Sequence, residues 1–194
     1  MEDALELSEL EINYLGFIVN YTGSPRYITP SGAAGIITMV KLSRPEMKFV
    51  AVLVDSTENE LDEILKFGCF DIVQLHGEES VEFCESVKRR GVEVWKACVV
   101  KEAGDVEALE IYRGKVDKLL VDGGRGEGKR VPLEILKGVK FDVIAGGLNA
   151  GNLREVVEVL SPEIVDLNSG VESSPGRKDV KLVEEALKVM DSVG

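Results

Sequence analysis

Two patterns of apolar and polar residues alternate along the chain. Short, nearly continuous apolar runs predict strands, and segments whose apolar residues recur every three or four positions predict helices. Because most of the runs lack a polar residue at every second position, they are typical of parallel strands covered on both faces. The predicted strands are YLGFIV from Tyr14, KFVAVLV from Lys48, DIVQLH from Asp71, EVWKACVV from Glu93, KLLVD from Lys118, DVIAGG from Asp142 and IVDLNSG from Ile164.

Capping residues mark where the helices between these strands begin and end. Thr29 followed by Pro30 predicts a capped helix start with proline in the first turn. Thr57 and Glu60 have the spacing of a capping box, and Gly68 predicts the end of the helix that follows them. The chain therefore repeats a strand–helix unit.

The first helix is the exception, because no strand precedes it. In the opening MEDALELSEL, Ala4, Leu7 and Leu10 form one apolar stripe. Two architectures fit the alternation: an open, doubly wound sheet, or a (β/α)8 TIM barrel whose first strand is missing from this chain. We favour the barrel, since open sheets of this length usually have fewer strands and the first helix implies a preceding strand. No linker interrupts the pattern, so residues 1–194 are predicted to form a single barrel domain.

The composition limits the partners. The chain has 23 basic and 35 acidic residues, for a net charge of −12, which argues against binding nucleic acid or an anionic membrane but not against a small anionic substrate. Its three cysteines form no CxxC pair and it has one histidine, so no metal site is expected. Such sparse cysteines are typical of the cytoplasm, and we find no targeting segment or membrane-spanning run.

Glycine-rich turns follow the last two predicted strands. In a parallel barrel the active site lies at the carboxyl ends of the strands, and the turns after strands seven and eight commonly bind phosphate. Gly146 and Gly147 lie in the first turn, and Ser169 and Gly170 in the second. The alternative is that these glycines only permit tight turns, but their occurrence at consecutive strand ends favours a phosphate site.

Asp122 ends the strand KLLVD and opens a glycine-rich loop, GGRGEGK. A carboxylate at the mouth of a barrel can act as a general acid or base. An aspartate in this position can equally cap its own loop, and the residues do not decide between the two. The loop is not a phosphate-binding P-loop, because Arg130 stands where that motif needs Ser or Thr.

The segment QLHGEE offers further polar groups at a strand end. Gln74 and His76 are two positions apart and are predicted to lie on the same side of their strand, either in a binding site or as hydrogen-bonded filling of the barrel top. Glu78 and Glu79 are predicted to begin the next helix.

Arg26 is a candidate for binding a substrate carboxylate, because its guanidinium can form a bidentate pair; alternatively it is a solvated loop residue. The cysteines are predicted to be packing residues, with Cys98 in the core and Cys69 and Cys84 on helix faces.

Five segments together resemble the phosphoribosylanthranilate isomerase family. They are GSPRYITP, VQLHGEE, LLVDGGRGEGKRVPLEIL, VIAGGLNAGN and VDLNSGVESSPGRKD, and their order and spacing match the family over nearly the whole chain. One departure is Asn168, where the family usually has Ser.

The resemblance implies a (β/α)8 barrel that catalyses an Amadori rearrangement in tryptophan biosynthesis without a metal or organic cofactor. The expected substrate is N-(5'-phosphoribosyl)anthranilate, and the expected protein is a monomer or a homodimer. Asp122 matches the general acid, and Arg26 matches the residue that binds the anthranilate carboxylate. The remaining expected substrate-binding residues are Gln74, His76, Gly146, Gly147, Ser169 and Gly170.

The family's catalytic base is a cysteine in a first strand resembling VKICG, and the segment MEDALELSEL matches the helix after it. That strand is absent here, and Cys69, Cys84 and Cys98 fall at other elements. Either Met1 is an internal methionine of a longer chain, or the chain is truncated; as written, we expect it to turn over substrate hardly at all. Two other functions stay open: a non-catalytic phosphosugar-binding barrel, and a different isomerase or epimerase on this scaffold.

Overall fold

The structure of the chain is a computed structural model that describes residues 2–124 and 132–193. It contains two compact units: Met1–Lys96 with Lys115–Asp117, and Ala97–Gly114 with Lys118–Gly194. The part of the glycine-rich loop at 125–131 lies outside the described residues. The expectation of a single domain over 1–194 stays a prediction. In the described part of the chain, no helix is both long enough and apolar enough to cross a membrane.

The first unit alternates helices and strands in the predicted order. Thr29 caps the second helix, with Pro30 at its start, and the predicted capping box of Thr57 and Glu60 is formed. The elements are α1 (Glu2–Ser8), β1 (Tyr14–Ile18), α2 (Pro30–Ser43), β2 (Lys48–Leu53), α3 (Glu58–Leu65), β3 (Ile72–Leu75), α4 (Val81–Lys88) and the first part of β4 (Glu93–Val99).

The second unit continues the alternation from the end of β4. Its helices after β4 and β5 are short, and two 3₁₀ turns, Ala103–Val106 and Ser169–Val171, supplement them. The elements are α5 (Glu107–Tyr112), β5 (Lys118–Asp122), α6 (Leu133–Leu136), β6 (Val143–Ala145), α7 (Ala150–Leu160), β7 (Ile164–Val165), the hairpin β8 (Glu172–Ser174) and β9 (Arg177–Lys178), and α8 (Val180–Asp191).

Strand order separates the two predicted architectures. In the first unit the order is β1-β2-β3-β4, and in the second it is β4-β5-β6-β7, so sequential strands are always neighbours. The registered pairs, such as Val50 with Ile72 and Leu120 with Val143, are parallel. A doubly wound sheet reverses its order at a switch point, and neither unit does. Sequential parallel order is that of a barrel.

Aspartates at the beginnings of strands help to fix the register. Each accepts a hydrogen bond from a backbone N–H of the preceding strand at 2.8–2.9 Å. Such bonds satisfy donors that the ladder leaves open and lie at the end opposite to the expected site. The pairs are Asp71 with Phe49, Asp117 with Val94, and Asp142 with Leu119.

The predicted last strand, IVDLNSG, is wrong beyond its first two residues. Only Ile164 and Val165 are in β7, and Ser169–Val171 form a 3₁₀ turn that leads into the β8–β9 hairpin. The backbone leaves extended geometry at Asn168, where φ is −127° and ψ is −94°. The predicted strand is therefore too long. The chain turns after β7, and Gly170 packs against Leu148 in the loop after β6.

Candidate active site

The structure brings Gln74 and His76 together at the end of β3. Gln74 is 4% exposed, and its Nε2 lies 2.9 Å from Nδ1 of His76. The predicted position of both side chains on one side of the strand is therefore what allows this hydrogen bond. The imidazole is held from within its own strand, just beyond the last residue of the ladder.

Two buried charges lie behind this strand end. Lys96 on β4 and Glu79 form an ion pair of 3.0 Å, and both side chains are 2% exposed. The prediction that Glu78 and Glu79 begin the next helix is wrong, because α4 begins at Val81 with Ser80 as its cap. Sequence reasoning missed Lys96 altogether, although a lysine within the apolar run EVWKACVV was the signal that could have identified it.

Glu79 also joins the loop after β3 to the loop after β2. Its carboxylate accepts the backbone N–H of Gly77 at 3.0 Å and that of Asp55 at 2.9 Å. The Asp55 carboxylate in turn accepts the N–H of Glu78 at 2.6 Å. A Cβ at Gly77 would lie 2.2 Å from the Asp55 carboxylate oxygen, so this close approach requires glycine.

Arg26 lies in the turns between β1 and α2 and is half-buried. Its backbone N–H donates to Oγ of Ser24 at 3.1 Å. The next residue, Tyr27, forms a parallel bridge with Ile18, and the N–H of Ile28 donates to the Ile18 carbonyl at 3.0 Å. The turn that carries Arg26 is thus attached to the end of β1 on the same edge as the other strand-end loops of this unit.

In the second unit, Asp122 is 5% exposed at the end of β5. Its Oδ1 accepts the N–H of Gly124 at 2.9 Å, so it does cap its own loop. A Cβ added at Gly146 would lie 3.1 Å from this Oδ1 atom and 2.6 Å from the backbone nitrogen of Gly123. The carboxylate therefore also faces the glycine turn after β6, and loop capping and a chemical role are compatible.

The turn after β6 is built around two glycines in the left-handed half of backbone space. Gly146 has a φ of +110° and Gly147 a φ of +60°. The carbonyl of Gly147 accepts the side-chain amide of Asn152 at 2.9 Å, and Asn149 caps α7. Among the hydrogen bonds of the described residues, none uses the N–H of Gly147.

The turn after β7 contacts the turn after β6 directly. A Cβ at Gly170 would lie 1.9 Å from the carbonyl oxygen of Leu148 and 3.1 Å from Cβ of Asn149. The two glycine turns that were predicted to act together are therefore adjacent, and Gly170 is where they touch. Ser169 and Gly170 lie in the 3₁₀ turn, whose first N–H groups have no acceptor within it.

A second lysine–carboxylate pair braces the turn after β7. Lys178 Nζ donates to Glu172 at 2.9 Å and to the backbone carbonyl of Asn168 at 3.0 Å. The Glu172 side chain is 4% exposed. These contacts give Glu172 and Lys178, both in the segment VDLNSGVESSPGRKD, a structural role: they hold Asn168, the residue that precedes Ser169.

The cysteines are free and are placed as packing residues. Cys84 and Cys98 are buried in α4 and β4, as predicted. Cys69 is not on a helix face, since it lies in the connection between α3 and β3, beyond the end of the helix. Burial raises the pKa of the Cys69 thiol, so it is protonated near neutral pH. Within residues 2–124 and 132–193, no three His, Cys, Asp or Glu residues are grouped to hold a metal ion.

A sequence model of the N-(5'phosphoribosyl)anthranilate (PRA) isomerase family matches residues 1–189. The chain belongs to this family. The N-(5'-phosphoribosyl)anthranilate isomerase of Rhizobium meliloti (strain 1021) is 37% identical over 187 residues, covering 90% of this chain and 85% of that protein. The enzyme of the same name from Brucella canis is 37% identical over 185 residues, covering 88% and 81%.

Solved structures of the same family confirm the predicted fold class, a (β/α)8 barrel. The crystal structure of phosphoribosyl anthranilate isomerase from Thermotoga maritima has a TM-score of 0.88 and 31% identity, covering 98% of this chain and 94% of that one. The Thermus thermophilus enzyme has a TM-score of 0.86 and 31% identity, covering 100% and 94%. A third structure, with a TM-score of 0.84, 31% identity and coverages of 98% and 93%, is a complex with reduced 1-(o-carboxyphenylamino)-1-deoxyribulose 5-phosphate.

Proposed function

We propose that this chain is a phosphoribosylanthranilate isomerase, which converts N-(5'-phosphoribosyl)anthranilate to 1-(2-carboxyphenylamino)-1-deoxyribulose 5-phosphate in tryptophan biosynthesis. The observation that carries the proposal is the contact between the glycine turns after β6 and β7, with the Asp122 carboxylate facing the first of them. Family membership over residues 1–189 supports the reaction. A phosphate at these turns and an acid beside them are what this substrate requires.

The proposed reaction begins with proton transfer from Asp122 to the furanose ring oxygen. The C1–O bond breaks, the ring opens, and the nitrogen lone pair forms a protonated Schiff base at C1. A general base then takes the C2 proton, and the electron pair of the C–H bond forms the C1=C2 double bond while the lone pair returns to nitrogen. The resulting enolamine tautomerises to the C2 ketone. Because Asp122 is buried and already holds the N–H of Gly124, its carboxyl group is fixed relative to the loop it acts from.

The direct test is to follow the anthranilate fluorescence of the substrate with the purified chain. Although the sequence alone predicts little turnover, the family match over residues 1–189 leads us to expect an enzyme-dependent decay, with the carboxyphenylamino ketose identified as product by NMR. Binding of the reduced product analogue is measured in parallel by calorimetry. Analogue binding without turnover would contradict the isomerase proposal and favour a non-catalytic phosphosugar-binding barrel.

We propose that Gly146, Gly147, Ser169 and Gly170 bind the phosphate, and we expect Gly147→Val to weaken analogue binding. At a φ of +60° a β-branched residue is disfavoured by about 1–2 kcal/mol, so the turn must shift. The matched control is Gly138→Val, which has a φ of +83° in the turn between α6 and β6 and no atoms near its Cβ position. Calorimetry compares the phosphorylated and dephosphorylated analogues. Equal binding of the two by the parent protein would refute the phosphate assignment.

We propose that Arg26 binds the anthranilate carboxylate, with Gln74 and His76 as further substrate-binding groups. We expect Arg26→Lys to raise KM, because an ammonium group cannot reproduce the planar fork of a guanidinium. Loss of a charge-assisted pair costs about 1.5–3 kcal/mol, or roughly 10- to 150-fold. Arg89→Lys, at an exposed arginine after α4, is the control. The assignment is wrong if Arg26→Ala leaves KM and analogue affinity unchanged.

The sequence and the relatives also support proposals on assembly and compartment. A monomer or homodimer is proposed; one neighbouring structure is that of generated monomers of a dimeric phosphoribosylanthranilate isomerase from Thermotoga maritima, with a TM-score of 0.82. A cytoplasmic location is proposed from the three free cysteines. Light scattering on the purified chain distinguishes the two assembly states.

A further inference from the structure

The buried ion pair between Lys96 and Glu79 holds the loop after β3 in a defined geometry. Taking two charges out of water costs about as much free energy as their attraction returns, so a buried pair is weak evidence for added stability. Its hydrogen bonds, by contrast, are directional, and they reach the end of β3, the loop after it and Asp55 in the loop after β2. What the pair supplies is therefore a defined geometry at this loop.

The ion pair makes hydrogen bonds to the backbone of the residues immediately before and after His76. Lys96 Nζ donates to the carbonyl of Leu75 at 3.3 Å and to that of Gly77 at 2.8 Å. Glu79 accepts the N–H of Gly77 at 3.0 Å. The residues before and after the histidine are thus both held by buried charged groups, which fixes the direction in which its side chain leaves the backbone.

Gln74 adds a chemical constraint on the imidazole. The atom 2.9 Å from His76 Nδ1 is the amide nitrogen of Gln74. An amide nitrogen only donates hydrogen bonds, so Nδ1 must accept. A neutral imidazole whose Nδ1 accepts carries its proton on Nε2.

We propose that Gln74, Lys96 and Glu79 hold His76 as a neutral imidazole with its proton on Nε2, a fixed hydrogen-bond donor for an acceptor oxygen of the substrate. This inference rests on the proposed function for the identity of the ligand. Lys96 and Glu79 are positioning residues, since they reach the ligand only through His76. Gln74 sets which nitrogen donates.

Because His76 is the single histidine of the chain, one imidazole spectrum reports on the proposal. The full chain is labelled with ¹⁵N-histidine and its two-bond ¹H–¹⁵N correlations are recorded at pH about 8.5, where imidazoles are ordinarily neutral. We expect a protonated Nε2 and an unprotonated Nδ1 in the ligand-free parent. Gln74→Leu, which keeps a side chain of similar size without a donor, should give a mixture of tautomers. A protonated Nδ1 in the parent, or an unchanged spectrum in Gln74→Leu, overturns the proposal.

The positioning role is tested with the double variant Lys96→Met/Glu79→Gln, which removes both charges and keeps an acceptor at position 79. The matched control is Lys115→Met/Glu85→Gln, an exposed lysine–glutamate pair at the same 3.0 Å distance. We expect the first variant, but not the second, to mix the His76 tautomers and to lose about three- to tenfold in affinity for the reduced product analogue, the effect of one hydrogen bond. An unchanged spectrum and affinity in a folded Lys96→Met/Glu79→Gln protein would overturn the role.

Misfolding of the double variant and failure of the proposed function can both be distinguished from failure of the tautomer proposal. If the double variant does not fold, Glu79→Gln alone replaces it, because the amide oxygen of Gln still accepts the N–H groups of Gly77 and Asp55, whereas its NH2 group cannot accept from Lys96 Nζ. If the parent does not bind the reduced product analogue, the proposed function fails. The tautomer of His76 in the ligand-free protein still decides the present proposal.

Discussion

Asp122→Asn should lower kcat by about 10²–10⁴-fold, the usual contribution of a positioned general acid. Asparagine has nearly the same shape as aspartate and keeps the oxygen that accepts the N–H of Gly124 at 2.9 Å. It has no carboxyl proton to give to the furanose oxygen, so ring opening should be the step that slows. The measurement is kcat from the decay of anthranilate fluorescence, with analogue affinity from calorimetry expected to stay within about threefold, since one retained hydrogen bond is worth little more than this.

The control and the alternative interpretation both follow from the two contacts of Asp122. Asp191→Asn, at the exposed end of α8, changes the same functional group away from the loops and should leave kcat unchanged. If Asp122 only caps its loop, Asp122→Asn should leave kcat near the parent value. If instead kcat and the melting temperature fall together, the residue acts through the stability of the loop rather than as an acid.

Most of the architecture was predictable because its signals are local. Continuous apolar runs identify β1 to β6, and most residues of β2 to β6 are buried. The caps at Thr29 and Thr57 predict where two of the helices begin. The last strand failed for a reason that is not local. The segment after Val165 turns where it contacts the loop after β6. The residues of the segment alone do not predict this contact, because it depends on another part of the chain.

The candidate site shows the same division. The rule that chemistry collects at the carboxyl ends of parallel strands selected Gln74, His76 and Asp122 from sequence alone, and the structure places all three at strand ends. The ion pair of Lys96 with Glu79 was not predicted, because it joins residues 17 positions apart. A charge within an apolar strand signals a buried partner, but the sequence does not say which carboxylate it is.

The contact between the two glycine turns leads to the second large effect, at Gly170. Gly170 is not among the glycines with a positive φ, so its backbone conformation is one that alanine can adopt. The obstacle is space: a Cβ would lie 1.9 Å from the Leu148 carbonyl oxygen and 2.7 Å from its carbon, and both are backbone atoms that no side-chain rotation can move. One of the two turns must therefore give way.

We expect Gly170→Ala to lower the free energy of unfolding by about 1–3 kcal/mol or more, as overpacking does, and to weaken binding of the phosphorylated analogue more than the dephosphorylated one. Urea unfolding and calorimetry measure the two effects. Gly35→Ala is the control, because its Cβ position in α2 meets no atom within 4 Å and a helical glycine replaced by alanine should stabilise the chain by about 0.4–1 kcal/mol. A Gly170→Ala protein as stable as the parent, with equal affinity for the phosphorylated analogue, would show that the contact between the turns neither limits packing nor shapes the phosphate site.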